Sequence, residues 1–88
     1  MSDFAITFAR SARKYLAKLP SQMADKILDE IEKLVSNPRP AGCKRLKGFK
    51  HLWRIRSGDY RVIYSINEGT RVVDISIVRH RKDVYRIL

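Results

Sequence analysis

The sequence predicts an α+β fold, with an N-terminal strand and a two-helix hairpin packed on an antiparallel meander sheet of three to four strands. Two observations lead to this prediction. Apolar residues recur at helical spacing before the proline-containing segment 37–40. From residue 44 onward, apolar and polar residues alternate in short runs that are separated by glycine-containing turns. A chain of 88 residues supports one modest core, so residues 1–88 are predicted to form a single domain.

The N-terminal half is predicted to hold one strand and two helices. Residues 4–8 alternate weakly and predict a short strand. Ser21 is a predicted N-cap for the second helix, and the prolines of segment 37–40 end that helix. The apolar stripe of the first helix is Phe8, Ala12, Tyr15, Leu16 and Leu19, and that of the second is Ala24, Ile27, Leu28, Ile31, Leu34 and Val35.

The C-terminal half is predicted to consist of strands. Residues 44–48 form a short edge strand that ends at Gly48, and residues 52–64 form a hairpin with Ser57 and Gly58 as its loop. The next hairpin is predicted to turn at Gly69-Thr70, in a type II′ turn. The predicted pairs are Arg54 with Arg61 in the first hairpin, and Tyr64 with Ile75 and Ile66 with Val73 in the second.

The first hairpin is predicted to have one apolar face and one cationic face. Because side chains alternate along a strand, Arg54, Arg56 and Arg61 share the face opposite the core. Like charges that face each other weaken a sheet, so this arrangement favours a binding site for a polyanion. The alternative is an ordinary solvated surface. The predicted core-facing residues are Trp53, Ile55, Tyr60, Val62 and Tyr64.

The net charge of +10 is concentrated in the C-terminal half. Residues 1–42 contain seven Lys/Arg and five Asp/Glu, a net of +2, whereas residues 43–88 contain twelve and four, a net of +8. Such a surface attracts nucleic acid, acidic proteins or anionic membranes. The cations fall on predicted strands, which argues against a basic membrane-bound helix, and no run of five like charges indicates a disordered tail.

Cysteine and histidine usage indicates neither a disulfide nor a metal site. Cys43 has no partner for an internal disulfide, and the N-terminus lacks the pattern of a signal peptide, so a cytoplasmic location is expected. No segment is long and apolar enough to span a bilayer. Cys43, His51 and His80 show no ligand spacing, so no metal or other cofactor is expected.

After the two predicted helices, four segments stand out: Leu46-Lys47-Gly48, Trp53-Arg54-Ile55-Arg56, Gly58-Asp59-Tyr60-Arg61-Val62-Ile63-Tyr64 and Arg79-His80-Arg81-Lys82-Asp83-Val84-Tyr85. In this order they resemble the RelE branch of the RelE/ParE toxin superfamily. The resemblance covers nearly the whole chain, and its most specific part is the combination of the last two segments. It implies a RelE-like, microbial-RNase-type fold and a toxin that is neutralised by an acidic, RelB-like antitoxin.

RelE-type toxins enter the ribosomal A site and cut messenger RNA there by attack of a 2′-hydroxyl on the adjacent phosphate. The resemblance therefore implies a metal-independent endoribonuclease that inhibits translation, with the ribosome and messenger RNA as partners. This chain is expected to be a monomer alone and a hetero-oligomer with its antitoxin. The catalytic residues implied are Arg61, Arg79, Tyr85, Arg54, Arg56 and His80.

Arg61, Arg79 and Tyr85 match residues of the family pattern, but two other positions depart from it. Arg54 and Arg56 fall where the best-known members carry lysines. Because arginine does not lose its proton in proteins, these two residues are expected to clamp phosphate and not to act as a base. The base is then Tyr85, His80 or a ribosomal group, although His80 is also a candidate RNA or antitoxin contact, and Tyr85 a candidate packing or base-stacking residue.

A further set of cations is predicted to contact RNA phosphates, which position a protein without reading sequence. The alternative for the cations around the edge strand is a solvated edge that discourages strand pairing. Two other functions stay open: a ParE-like toxin that binds DNA gyrase without RNase activity, and a catalytically degenerate RNA- or protein-binding member. ParE-like members generally lack the sheet arginines and C-terminal tyrosine. The predicted RNA-binding residues are Lys44, Arg45, Lys47, Lys50, Arg81 and Lys82.

Overall fold

A computed structural model describes residues 3–87, apart from the side chains of Tyr85 and Ile87. The predicted α+β fold is confirmed, and no helix among the described residues is long and apolar enough to cross a membrane. The elements are β1 (Ala5–Phe8), α1 (Arg10–Lys18), α2 (Ser21–Glu32), a 3-10 turn (Lys33–Val35), β2 (Lys44–Arg45), β3 (Leu52–Ser57), β4 (Tyr60–Asn67), β5 (Val72–His80) and α3 (Val84–Ile87).

The predicted helices form, but the second begins differently from the prediction. Pro20 and not Ser21 is the N-cap of α2, and no side chain caps this end. The Pro20 carbonyl accepts the N–H groups of Met23 and Ala24, each at 3.0 Å. The prediction of Ser21 as the N-cap is therefore wrong, because Pro20 has already set the chain direction with a ψ of 141°.

The described part of the chain forms one five-stranded mixed sheet in the order β1-β5-β4-β3-β2. Strands β2 to β5 form the predicted antiparallel meander. The predicted N-terminal strand adds a parallel edge beside β5, with Ile6 next to Val73 and Phe8 next to Ile75. The sequence predicted this strand and the meander, but not the parallel pairing that joins them into one sheet.

Helices α1 and α2 cover one face of this sheet, with α1 against β5 and α2 against β3. We call this the helix face, and the opposite side the outer face. Burial of apolar stripes against the sheet is what holds both helices in place. The core between them is formed by Phe4, Ala12, Leu16, Ile27, Ile31, Leu34, Ile55, Val62, Tyr64, Val73, Ile75 and Val78.

The β3–β4 hairpin turns one residue later than predicted. Ser57 pairs with Tyr60, so the two loop residues are Gly58 and Asp59. Gly58 has a φ of 58°, which is the left-handed value that a type II′ turn requires at its first loop position. As a result Arg56 faces Arg61, and the predicted pairing of Arg54 with Arg61 is wrong.

In the β4–β5 hairpin the predicted pairs are confirmed, but the predicted turn is wrong. Tyr64 pairs with Ile75 and Ile66 with Val73. The loop has four residues (68–71) between the paired ends of the strands, and the positive φ of 57° falls on Arg71, not on Gly69. The side-chain oxygen of Asn67 accepts the Thr70 N–H at 3.0 Å, which organises this wider loop.

Tyr64 joins the sheet to the segment that follows the 3-10 turn. Its side chain is fully buried, and its hydroxyl donates to the Pro38 carbonyl at 2.7 Å. Burial raises the pKa of this phenol well above its usual value. Tyr64→Phe is therefore expected to lower the free energy of unfolding by about 1–2 kcal/mol, because a buried carbonyl loses its donor. Denaturant unfolding at neutral pH measures this change.

Tyr60→Phe is the matched control for that experiment, since the Tyr60 hydroxyl makes only a solvent-accessible contact of 3.5 Å with the Met23 sulfur. The control is expected to change stability by less than about 0.5 kcal/mol, as surface substitutions usually do. Equal losses in the two variants would contradict the role of the Tyr64–Pro38 bond.

Candidate functional site

Three arginines lie side by side across the outer face. Arg56 on β3 pairs with Arg61 on β4, which in turn pairs with Arg79 on β5. Directly paired residues share a face, and neighbouring strands lie about 5 Å apart, so the three Cα atoms span roughly 10 Å. We call these residues the arginine row. Three like charges at paired positions disfavour the sheet, so the fold does not explain them.

The guanidinium groups of the row diverge although their backbones are adjacent. Arg61 donates through Nη1 to the carbonyls of Gly58 at 3.0 Å and Tyr60 at 2.9 Å. Arg79 donates to the Val78 carbonyl at 2.7 Å, and its guanidinium lies 4.7 Å from the centre of the Tyr15 ring. A phosphate oxygen is a stronger acceptor than these neutral carbonyls, so an anionic ligand can compete for both side chains.

Lys44 and Arg54 form the neighbouring pair on the outer face. Lys44 is exposed, whereas Arg54 is half-buried opposite the buried Ile63. The Arg54 Nε is fully shielded and has no acceptor within residues 3–87. A buried donor without a partner is costly, and the half-buried Arg54 side chain keeps its positive charge next to Lys44 on this face.

His80 lies on the opposite side of the sheet from the arginine row. It pairs with Tyr60, and the two rings meet edge to face at 5.5 Å. Its backbone N–H donates to the Tyr15 hydroxyl at 3.1 Å, and its Nδ1 accepts the Lys82 N–H at 3.2 Å. Strand alternation and these contacts with the helix side separate His80 from Arg61, so the structure does not bring these two predicted catalytic residues together.

Of the other predicted residues, Arg81 is tied to the β3–β4 loop. Its Nε lies 3.6 Å from an Asp59 carboxylate oxygen, and its N–H donates to the Asp59 carbonyl at 2.7 Å. Lys82 is exposed in the turn before α3. The backbone of Tyr85 lies in α3, but its side chain falls outside the described residues. The exposed cations Arg45, Lys47 and Lys50 belong to β2 and the loop that follows it.

The sequence pattern indicated Tyr15 only as a member of the apolar stripe of the first helix. In the structure this residue contacts both Arg79 and His80, so it positions the end of β5. The polar hydroxyl on an otherwise apolar helix face was the only signal in the sequence. No three His, Cys, Asp or Glu side chains within the described residues come close enough together to hold a metal ion.

Two buried apolar residues are not part of the main core. Ile63 and Val84 are both buried, yet neither belongs to the core under the two long helices. Ile63 shares the outer face with its pairing partner Ile77, and α3 lies against β5. We infer that α3 covers part of the outer face next to the arginine row, which brings the backbone of Tyr85 to this side of the sheet.

Comparison with known proteins shows which family the chain is similar to. The family model of the ParE toxin of the type II toxin-antitoxin system, parDE, matches residues 6–85. Putative toxin RelE1 of Methanocaldococcus jannaschii is 31% identical over 86 residues, which cover 94% of this chain and 96% of that protein. Toxin RelE of Mycobacterium tuberculosis is 30% identical over 91 residues, which cover 99% and 94%.

Solved structures of RelE-like toxins have the same fold as this chain. The archaeal RelE in its RelE–RelB complex from Pyrococcus horikoshii superposes with a TM-score of 0.79 at 30% identity, over 90% of this chain and 96% of that one. The RelBE2 toxin–antitoxin complex of M. tuberculosis gives 0.78 at 27% identity, over 90% and 99%. The chain therefore belongs to the RelE/ParE superfamily and is a RelE-like toxin of a toxin–antitoxin pair.

Proposed function

We propose that this toxin is a ribosome-dependent, metal-independent endoribonuclease that cuts messenger RNA in the ribosomal A site. The arginine row is the single observation that carries this proposal. In the reaction, a 2′-oxygen bonds to the adjacent phosphorus while the bond to the 5′-oxygen breaks, leaving a cyclic phosphate and a 5′-hydroxyl. Negative charge builds up on the phosphoryl oxygens, and fixed cations lower the barrier by stabilising it.

Arg61 and Arg79 are the residues we assign to the reacting phosphate, and Arg54 and Arg56 to the phosphates on either side. Within residues 3–87, Arg54, Arg56 and Arg79 form no ion pair, so their charges are not neutralised by the protein itself. The Arg54 Nε lacks an acceptor. An RNA strand on the outer face supplies acceptors for the solvent-accessible donors of these side chains, although not for the shielded Arg54 Nε.

Proton transfer requires a group other than these arginines, because arginine stays protonated. His80 lies on the other side of the sheet, which leaves Tyr85 or a ribosomal group to take the proton from the 2′-hydroxyl and to return one to the 5′-oxygen. Because the site has no complete acid–base pair of its own, its cleavage rate depends on a proton-transfer group from the ribosome. Lys44, Arg45, Lys47, Lys50 and Lys82 are assigned to RNA phosphates.

The proposal predicts rapid cleavage only on ribosomes. Messenger RNA in programmed ribosomes is expected to be cut inside codons, whereas the same RNA free in solution is cut slowly although it is bound. Binding to free RNA should weaken as salt rises, because phosphate contacts release counterions. Primer extension maps the cuts, and efficient cleavage of free RNA at low enzyme concentration would contradict the dependence on the ribosome.

The match to the ParE family model favours a second candidate, a toxin that acts on DNA gyrase without cleaving RNA. The two candidates differ after induced expression in cells. Cleaved messages with intact gyrase function support the endoribonuclease. Growth arrest with intact messages and accumulated gyrase–DNA breaks would assign the ParE-like activity, and the absence of any arrest would point to a degenerate member.

We further propose that the antitoxin neutralises the protein with an acidic segment that folds onto the outer face or displaces the C-terminal segment that contains Tyr85. The net charge of +10 and the cations of that face are complementary to such a segment. The toxin is expected to run as a monomer alone and as a hetero-oligomer with the antitoxin in gel filtration.

A further inference from the structure

Phe49 is a large apolar side chain that the core does not use. It lies in the loop between β2 and β3, and 41% of it is exposed. Within residues 3–87, no ring and no guanidinium stacks on it. Three other rings are each covered by an arginine: Phe4 by Arg71 at 4.0 Å, Tyr15 by Arg79 at 4.7 Å and Trp53 by Arg39 at 5.0 Å.

The loop holds this ring within a shallow, basic hollow. A tight turn, closed by a 3.3 Å bond from the Phe49 N–H to the Leu46 carbonyl, brings the ring next to exposed cations. The sequence has no Asp or Glu between Cys43 and Gly58, so every charged side chain of the loop is a cation. The hollow, of about 480 Å³, is lined by Arg45, Leu46, Lys47, Gly48, Phe49 and Lys50.

We propose that Phe49 is a stacking platform for an unpaired RNA base, with Arg45, Lys47 and Lys50 on the phosphates beside it. This inference rests on the proposed function and specifies how the RNA is held. Proteins that bind single-stranded nucleic acid combine an aromatic ring for the base with cations for the backbone, and the hollow contains both. From Leu52 to Arg56, β3 spans about 13 Å, so this platform is separate from the arginine row.

An RNA base fits the loop better than a segment of the antitoxin does. A docked amphipathic helix needs several apolar anchors at helical spacing. The loop offers one exposed ring, because Leu46 is half-buried and the other exposed large apolar residues, Met23 and Leu28, lie on α2. A single ring among cations matches the alternation of base and phosphate along a strand.

Fluorescence anisotropy with a short, single-stranded 2′-O-methyl RNA tests the platform without any cleavage. Phe49→Ala is expected to weaken binding roughly 5- to 100-fold, as loss of one base-stacking residue does, with the salt dependence unchanged. Lys47→Ala should lower the slope of log affinity against log salt by about one, as loss of one phosphate contact does. Phe49→Trp should keep the affinity, and Leu28→Ala, on the exposed surface of α2, is the matched control.

An oligonucleotide without bases separates stacking from charge. Wild-type protein and Phe49→Ala should bind it equally, since the ring has nothing to stack on. Unchanged RNA affinity in Phe49→Ala, or an equal loss on the abasic strand, would overturn the proposal. Intact RNA binding together with weaker antitoxin binding in the same variant would also overturn it, and would assign the ring to the antitoxin.

Chemical probing identifies the source of the base. On ribosomes that carry an uncleavable message, a base protected by the wild type but not by Phe49→Ala supports the proposal, and its position shows whether it belongs to messenger or ribosomal RNA. The absence of any such difference counts against the proposal. Failure of the proposed nuclease function gives a different result from failure of the Phe49 proposal. In that case, messenger RNA on ribosomes stays uncut even with the wild-type protein.

Discussion

Replacement of Arg61 by alanine is expected to slow single-turnover cleavage on programmed ribosomes by roughly 30- to 1000-fold, or about 2–4 kcal/mol of barrier. Arg61 sits at the centre of the arginine row, between Arg56 and Arg79. Its guanidinium is bonded to the carbonyls of Gly58 in the loop and Tyr60 in β4, and a phosphate oxygen is a stronger acceptor than either. Loss of a fixed charge at the reacting phosphate raises the barrier without removing the other RNA contacts.

The same variant should fold normally. Two bonds to carbonyls are lost, but the repulsion between paired like charges is relieved, so stability should change by no more than about 1 kcal/mol. A thermal melt checks this. Arg13→Ala is the matched control, because Arg13 is exposed on α1, away from the outer face, and the variant should cleave like the wild type. An Arg61→Ala protein that remains fully toxic would rule out the assigned role.

The second large effect is expected on the rate at which the toxin associates with the antitoxin. Opposite charges raise association rates by about 10- to 1000-fold at low salt, and this gain is lost as salt screens it. Stopped-flow mixing of the toxin with a labelled acidic antitoxin segment should therefore show an association rate that falls steeply with ionic strength, whereas the dissociation rate changes little.

Charge variants locate the surface responsible. Arg56→Gln and Lys44→Gln, both on the outer face and exposed, should lower the low-salt association rate more than Lys18→Gln at the end of α1. A rate that does not depend on salt would contradict electrostatic capture. Equal effects of all three substitutions would indicate attraction by the net charge and not by this face.

Local sequence patterns predicted the elements of this fold well because their causes are local. The helical stripes, Pro20 and the prolines of segment 37–40 act on their own neighbours, and the helices form where these residues indicate. The parallel pairing of β1 with β5 was not predictable in this way. It joins Thr7 to Asp74, which are 67 residues apart, and β1 has only four residues of weak alternation.

The sequence indicated which arginines lie on neighbouring strands, but not which of them pair across those strands. Arg56, Arg61 and Arg79 do lie on neighbouring strands, yet the partner of Arg61 was misassigned because Ser57-Gly58 and Gly58-Asp59 are both plausible two-residue turns. His80 was grouped with the arginines because it is next to Arg79 in sequence. Adjacent residues of a strand start from opposite faces, so the backbone position of His80 faces the helices, although the long Arg79 side chain also reaches Tyr15 on α1.

The central position of β5 also has a consequence during protein synthesis. This strand lies between β1 and β4, although it is the last of the five described strands to leave the ribosome. Until residues 72–80 emerge, β1 has no partner and β4 has an open edge, which is the kind of surface that nascent chains expose to misassembly. Arg79 is next to the last residue of β5, so the arginine row is completed only after residues 72–80 have emerged. A ribosome that has not yet released residues 72–80 therefore carries this toxin without a complete arginine row.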